Sequence, residues 1–234
     1  FHLRDLRNGL DKAEGNGVLG LGIPAGLQNA IFAVANLFIQ SAVNSFDSVM
    51  VEGNSAAANS DAIIYNVMAA FYTACSTFMG QNWGAGKRDR VLKSYFIGVA
   101  YSFVAGAILG GALLLFGREF LSLFANDEAV IEAGLQRTRI MGFSYAVSAF
   151  MDCTIAACRG IGKSLAPTII VILGSCVFRV VWIYTVFAHF HTIPSLYLLY
   201  IFSWTITAIA EIVCFVMSYR KLTALHDAYL PESD

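Results

Sequence analysis

Three ionisable residues stand inside long apolar runs: Asp152, Arg179 and Glu211. A charge at the centre of a bilayer costs at least about 2.5–3.5 kcal/mol when unpaired, so such groups pair with one another or serve a purpose. Their depths are set by helical rise. Counted from the more basic end of each run at about 1.5 Å per residue, Arg179 is about 18 Å deep, Glu211 about 12 Å and Asp152 about 10 Å. An arginine side chain spans most of the first gap and reaches Asp152 by leaning inward. The spacing therefore predicts an intramembrane charge pair between Arg179 and Glu211. It leaves Asp152 to exchange a proton or to meet a cationic substrate.

Uncharged polar residues recur with helical spacing in the same runs. At about 100° per residue, Asn29, Asn36 and Gln40 project within about 40° of one another. Such a stripe avoids lipid and faces either a neighbouring helix or a water-filled cavity. Asp61, Tyr65, Met68 and Tyr72 share a second face, where aromatic rings and a thioether suit an aromatic cation. Asp61 lies near the outer end of its run, where water reaches it. Tyr145 shares a face with Asp152, and Trp204 and Thr207 share one with Glu211. The candidates for lining such a cavity, and with it a path through the membrane, are Asn29, Asn36, Gln40, Tyr65, Tyr72, Asp152 and Trp204. Each has packing between helices as its structural alternative.

Other chemistries lack their residue sets. No nucleophile, base and orienting group gather near one end, so no catalytic constellation is expected and an enzyme is disfavoured. GKS at 162–164 has Ala157 where a phosphate loop needs its first glycine. His189 and His191 stand without a third metal ligand nearby. The five cysteines, Cys75, Cys153, Cys158, Cys176 and Cys214, are scattered and odd in number. That argues against a disulfide framework and against zinc. No cofactor is expected.

The elements that must position these residues are membrane helices. Of 234 residues, 57% are hydrophobic and 13% are charged, about half the charged share of a soluble domain. Mean hydropathy is +0.64. Six windows reach the roughly 20 apolar residues that cross a bilayer: about 18–44, 59–82, 93–116, 137–158, 166–188 and 195–219. None alternates as a membrane strand would. The reading is an all-α integral membrane protein with a six-transmembrane-helix bundle at 18–220. Residues 1–17 read as a cytoplasmic linker and 221–234 as a cytoplasmic tail. The charged start, with Phe1 in place of Met, reads as an internal loop of a longer protein.

Loop charge orients the bundle. With both ends in the cytoplasm, eleven Lys and Arg fall in inner loops and three, Arg118, Arg137 and Arg139, in outer ones. This satisfies the positive-inside rule and predicts a multi-pass protein of the plasma (inner) membrane. With a net charge of −1 and no basic face, nucleic acid is excluded as a partner; the lipid bilayer is the expected one. Residues 118–136 read as a short outer interfacial helix running into the fourth span, started near Asn126. GAILGG, with Gly106, Gly110 and Gly111, reads as close helix packing.

The turn after the second span reads FMGQNWGAGKRDRV. With GIPAGLQNA in the first span, CRGIGKSLAP after the fourth, and CVFRVVWIY and FSWTITAI in the fifth and sixth, it resembles the multidrug and toxic compound extrusion (MATE) family. The match follows the order of the C-terminal six-helix lobe over about residues 15–220. The resemblance implies one lobe of a twelve-helix transporter of the MATE and flippase superfamily, whose N-terminal lobe lies outside this chain. It implies secondary active multidrug efflux: antiport of small organic cations against protons or sodium, by alternating access. In that turn Gly80, Gln81, Asn82, Gly84, Gly86 and Arg90 would hold their shape while the lobe moves. One branch of the family places acids in the first and fourth spans, but here Phe32 and Ser148 stand near those places and Asp152 comes one turn later. A lipid-linked oligosaccharide flippase is the nearest rival, and a non-transporting membrane scaffold a further one.

Overall fold

A computed structural model describes residues 12–229, with side chains to residue 225. Arg4 and Arg7, residues 1–11 of the linker and the end of the tail lie outside the described residues. Among those described there is no strand.

The chain runs α1 (Lys12–Val43), α2 (Ser48–Gly84), α3 (Arg88–Leu115), α4 (Gly117–Ser122), α5 (Glu128–Met141), α6 (Ser144–Gly160), α7 (Leu165–Phe190) and α8 (Ile193–Tyr229). Five helices are long and apolar enough to cross a membrane. α5 and α6, bent by 56° at their break, pass the same test as a pair, which brings the number to as many as six. Helices suit such a segment because every backbone group bonds within it. Large apolar side chains point outward: Phe96 is 66% exposed, Ile108 64% and Leu115 80%. A soluble domain does not tolerate this over a whole surface.

Helix ends follow local chemistry. Asp47 starts α2, its carboxylate accepting from the Met50 amide at 2.9 Å. Asp127, rather than Asn126, caps α5 by accepting from the Ala129 amide at 3.0 Å. Gly86, at φ +71°, turns the chain from α2 into α3, and Gly162, at φ +84°, does so after α6. The wide-turn stretches Ile172–Val177 and Ile183–Phe187 bracket Phe178–Trp182 inside α7.

Packing corrects the reading of the outer segment. α5 is no surface helix: Val130, Ile131, Gly134, Leu135, Arg137 and Thr138 are all buried. It meets α2 backbone to backbone, since a Cβ on Gly53 would lie 2.7 Å from the Gly134 amide. Arg137 is therefore a bundle residue and not a loop residue. Gly106 and Gly110 press α3 onto the α5–α6 bend, where a Cβ on Gly110 would sit 2.5 Å from the Gly142 carbonyl; Gly111 faces open space. At the other end Gly80 and Gly160 bring α2 against α6, a Cβ on Gly160 falling 2.9 Å from the Ser76 carbonyl. α1 lies at the edge and gives the core just Ala35, Ile39, Ala42 and Val43.

Candidate functional site

A cleft of about 540 Å³ lies between α1, α2, α5, α6, α7 and α8. Six of the path candidates line it: Asn36 and Gln40 from α1, Tyr65 and Tyr72 from α2, Asp152 from α6 and Trp204 from α8. The seventh, Asn29, is exposed and away from the cleft. Its neighbour Gln28 does the polar work there, accepting from Arg159 Nη2 at 2.6 Å.

Arg179 lies in the cleft wall, 2% exposed. Its guanidinium carbon is 4.8 Å from the Tyr200 ring centre and 5.6 Å from those of Phe32 and Trp204. Ring faces attract the cation where water is scarce. Nε donates to Ser203 Oγ at 3.2 Å, and Nη2 has no hydrogen-bond partner among the described residues.

The predicted Arg179–Glu211 pair is absent, and helix register is the reason. α7 and α8 run antiparallel, with Gly174 against Thr207, Ser175 Oγ 3.1 Å from Thr207 Oγ1, and Arg179 against Ser203. Glu211 lies eight residues beyond Ser203, about 12 Å along the axis. It is fully buried outside the cleft, neither carboxylate oxygen has a hydrogen-bond partner among the described residues, and Arg159 acts on it electrostatically. Counting depth from helix ends put the two residues about 6 Å apart, within an arginine's reach, whereas the pairing of α7 with α8 sets them about 12 Å apart.

The cleft also holds charge that the linear pattern assigned to solvent. Asp61 is 5% exposed. It accepts from the Tyr145 hydroxyl and pairs with Arg137 at 2.6 Å. Arg137 also lies over the Tyr197 ring, at 5.6 Å, and Tyr197 donates to Asn54 Oδ1 at 2.8 Å. Asp61 shares its helical face with Tyr65 and Tyr72, and that periodicity was the signal for it. Arg137 carried none, because α5 reads as surface. Asp152, half-buried, makes no hydrogen bond or ion pair to a described residue and lies within the electrostatic reach of Arg179 and Arg159. The cleft thus sets two acids against two arginines: one close pair, and two groups without an ionic partner at contact distance.

At the far end, Asn82 Nδ2 donates to the Phe78 carbonyl at 2.8 Å and closes α2. Gln81, Asn82, Lys87, Arg90 and Lys93 surround a second, exposed cleft of about 410 Å³. Gly84 faces open space, so its role is not close packing.

An apolar bundle enclosing a charged, aromatic-lined cleft has the build of a membrane transporter's lobe. The family model described as MatE matches residues 24–185, and the chain belongs to that family. It is 30% identical over 128 residues to a probable multidrug resistance protein, YpnP, of Bacillus subtilis, covering 55% of this chain and 29% of that one. Its fold matches a MOP superfamily transporter from Pyrococcus furiosus, whose binding pocket is described as of reverse polarity. The TM-score is 0.85 at 18% identity, over 95% of this chain and 50% of that one. An outward-facing multidrug resistance MATE transporter matches at a TM-score of 0.80 and 18% identity, over 88% of this chain and 47% of that one. The chain spans less than a third of its Bacillus relative and about half of the solved transporters. Members of the family are transporters, not enzymes.

Proposed function

We propose that the chain is the C-terminal lobe of a cation-coupled multidrug antiporter, and that the cleft meets organic cations on their way out of the cell. The carrying observation is Asp152, a carboxylate with no hydrogen-bond or ion-pair partner among the described residues, in a cleft walled by Tyr65, Tyr72 and Trp204. A free acid among ring faces attracts a flat cation and exchanges it for a proton or sodium ion. The N-terminal lobe supplies the opposite wall, and rocking of the two lobes gives alternating access. Both ends of the chain lie in the cytoplasm and the protein sits in the plasma (inner) membrane. The test is transport by the full-length protein in proteoliposomes. An imposed proton or sodium gradient drives export of a fluorescent organic cation. Efflux that requires ATP, or follows neither gradient, overturns the reading. Conservative changes at Asn36 and Tyr65 alter the substrate profile at unchanged expression; unchanged profiles assign both to packing.

A second reading rests on Arg179, whose buried Nη2 lacks a hydrogen-bond partner at the cleft wall. A guanidinium so placed receives a carboxylate or phosphate. An anionic substrate, such as the lipid-linked oligosaccharide of a flippase, then replaces the organic cation. Competition in the same assay separates the two, because an anionic amphiphile inhibits under this reading alone.

A further inference from the structure

Glu211, excluded from the cleft, stands in a different cluster. Its carboxylate and the sulfurs of Cys158 and Cys214 lie within 4.8 Å of one another. Glu211 and Cys214 are three residues apart on one face of α8, and Cys158 comes from the last turn of α6. Glu211 and Cys158 are fully buried, and neither carboxylate oxygen has a hydrogen-bond partner among the described residues. An orphaned carboxylate beside two thiols needs a ligand, since a buried charged group left unsatisfied carries its whole desolvation cost.

We propose that Cys158, Glu211 and Cys214 form a site for a thiophilic divalent cation of the zinc type, distinct from the cleft. Two sulfurs and one oxygen select zinc over sodium or magnesium, which prefer oxygen alone. Zinc–sulfur bonds of about 2.3 Å and zinc–oxygen bonds of about 2.0–2.2 Å bring tetrahedral ligand atoms to under about 4 Å of one another, so the three groups close inward on the metal from separations of up to 4.8 Å. On binding, each thiol releases its proton to solvent. Two thiolates, one carboxylate, the dication and the adjacent Arg159 then sum to zero charge, as a low-dielectric site requires. Arg159 is held nearby by Gln28 and Thr168, at 2.6 and 3.4 Å. Entry is through a groove of about 670 Å³ bordered by Cys214, Met217 and Ser218, where Cys214 is half-buried. The fourth coordination position is left to water from that groove. The scattered sequence positions hid the site, because its ligands come from two helices and lack the close spacing of a zinc motif.

The test uses the full-length protein, reduced, stripped with chelator and titrated with Co2+. Sulfur-to-metal charge-transfer absorption appears, saturates near one equivalent and is displaced by Zn2+. Cys214→Ser and Glu211→Gln each weaken Co2+ binding at least about tenfold, the scale on which lost ligands act. Cys176→Ser leaves it unchanged. Zn2+ raises the unfolding temperature of the wild type and not that of Cys214→Ser, a readout independent of transport. The proposal is overturned by absence of the absorption from folded protein, or by a Cys214→Ser variant that binds Co2+ with undiminished affinity and full absorption intensity. Failure of antiport in the liposome assay leaves this result untouched.

Discussion

Asp61 and Arg137 form an ion pair at 2.6 Å, with each side chain 7% exposed. The bond ties α2 to α5 above the 56° bend, and the Tyr145 hydroxyl adds α6 to the same carboxylate. Three helices thus share one buried charge pair at the wall of the cleft. Removing one partner strands the other charge in a medium that cannot solvate it. Arg137→Leu is expected to cost about 3–5 kcal/mol and to lower the yield of monodisperse protein. The double variant Asp61→Leu/Arg137→Leu regains much of that loss, because no charge is left alone. Yield and unfolding temperature in detergent check this. A single variant as stable as the wild type shows the pair to be dispensable.

Arg179 and Glu211 are expected to behave as independent sites. They lie about 12 Å apart in register, and each has its own surroundings, aromatic rings for one and thiols for the other. In a double-mutant cycle of Arg179→Gln and Glu211→Gln, measured by unfolding, the coupling stays within about 0.5 kcal/mol. A larger coupling requires a contact that the antiparallel pairing of α7 and α8 does not make.

How much of this was legible depended on range. Each membrane helix shows itself in about 20 consecutive apolar residues, so the spans follow from local sequence; the turn read over Gly80–Arg90 is shorter, residues 85–87, because α2 continues to Gly84 and α3 begins at Arg88. The faces carrying Asn36 and Gln40 on α1, and Tyr65 and Tyr72 on α2, follow from periodicity, which also carries Asn29 although the cleft ends short of it. Pairings between helices did not follow. Arg179 meets Ser203, and Arg137 meets Asp61, through register and tilt that the packing of Gly174 and Gly134 sets. Those contacts join residues far apart in the chain, and no local pattern encodes their partners. The bend at Gly142 escaped notice for the same reason: a close approach by Gly110 needs it, and that glycine sits in another helix.

Gly110 and Gly111 make a sharp internal comparison. A methyl group on Gly110 would meet the Gly142 carbonyl at 2.5 Å, whereas Gly111 faces open space. Gly110→Ala is expected to destabilise by about 1–3 kcal/mol, because backbone cannot yield as a side-chain tip does. Gly111→Ala, inside α3 with open space around it, is neutral or stabilising by up to about 1 kcal/mol. Unfolding temperatures of the two variants decide it. Equal effects disprove the close approach of α3 to the bend.

Asp152 separates folding from function most cleanly. The carboxylate has no hydrogen bond or ion pair to a described residue, and it borders a cleft roomy enough for water. Asp152→Asn keeps the shape and strands no partner, so stability should change by no more than about 0.5 kcal/mol, as for other sites without contacts. The transport outcome differs between the two readings of the cleft. If Asp152 couples cation entry to efflux, gradient-driven export of the organic cation falls on the order of tenfold, equivalent to about 1.4 kcal/mol of lost interaction. Exchange of labelled for unlabelled substrate without a gradient falls much less, because exchange needs no net ion movement. If Arg179 receives an anionic substrate instead, the same variant removes a repelling charge and raises affinity for that anion. Asp152→Asn assayed in both modes, with yield measured beside them, therefore distinguishes a coupling acid from a bystander. Loss of yield in parallel with transport rejects the coupling role and makes Asp152 a packing residue.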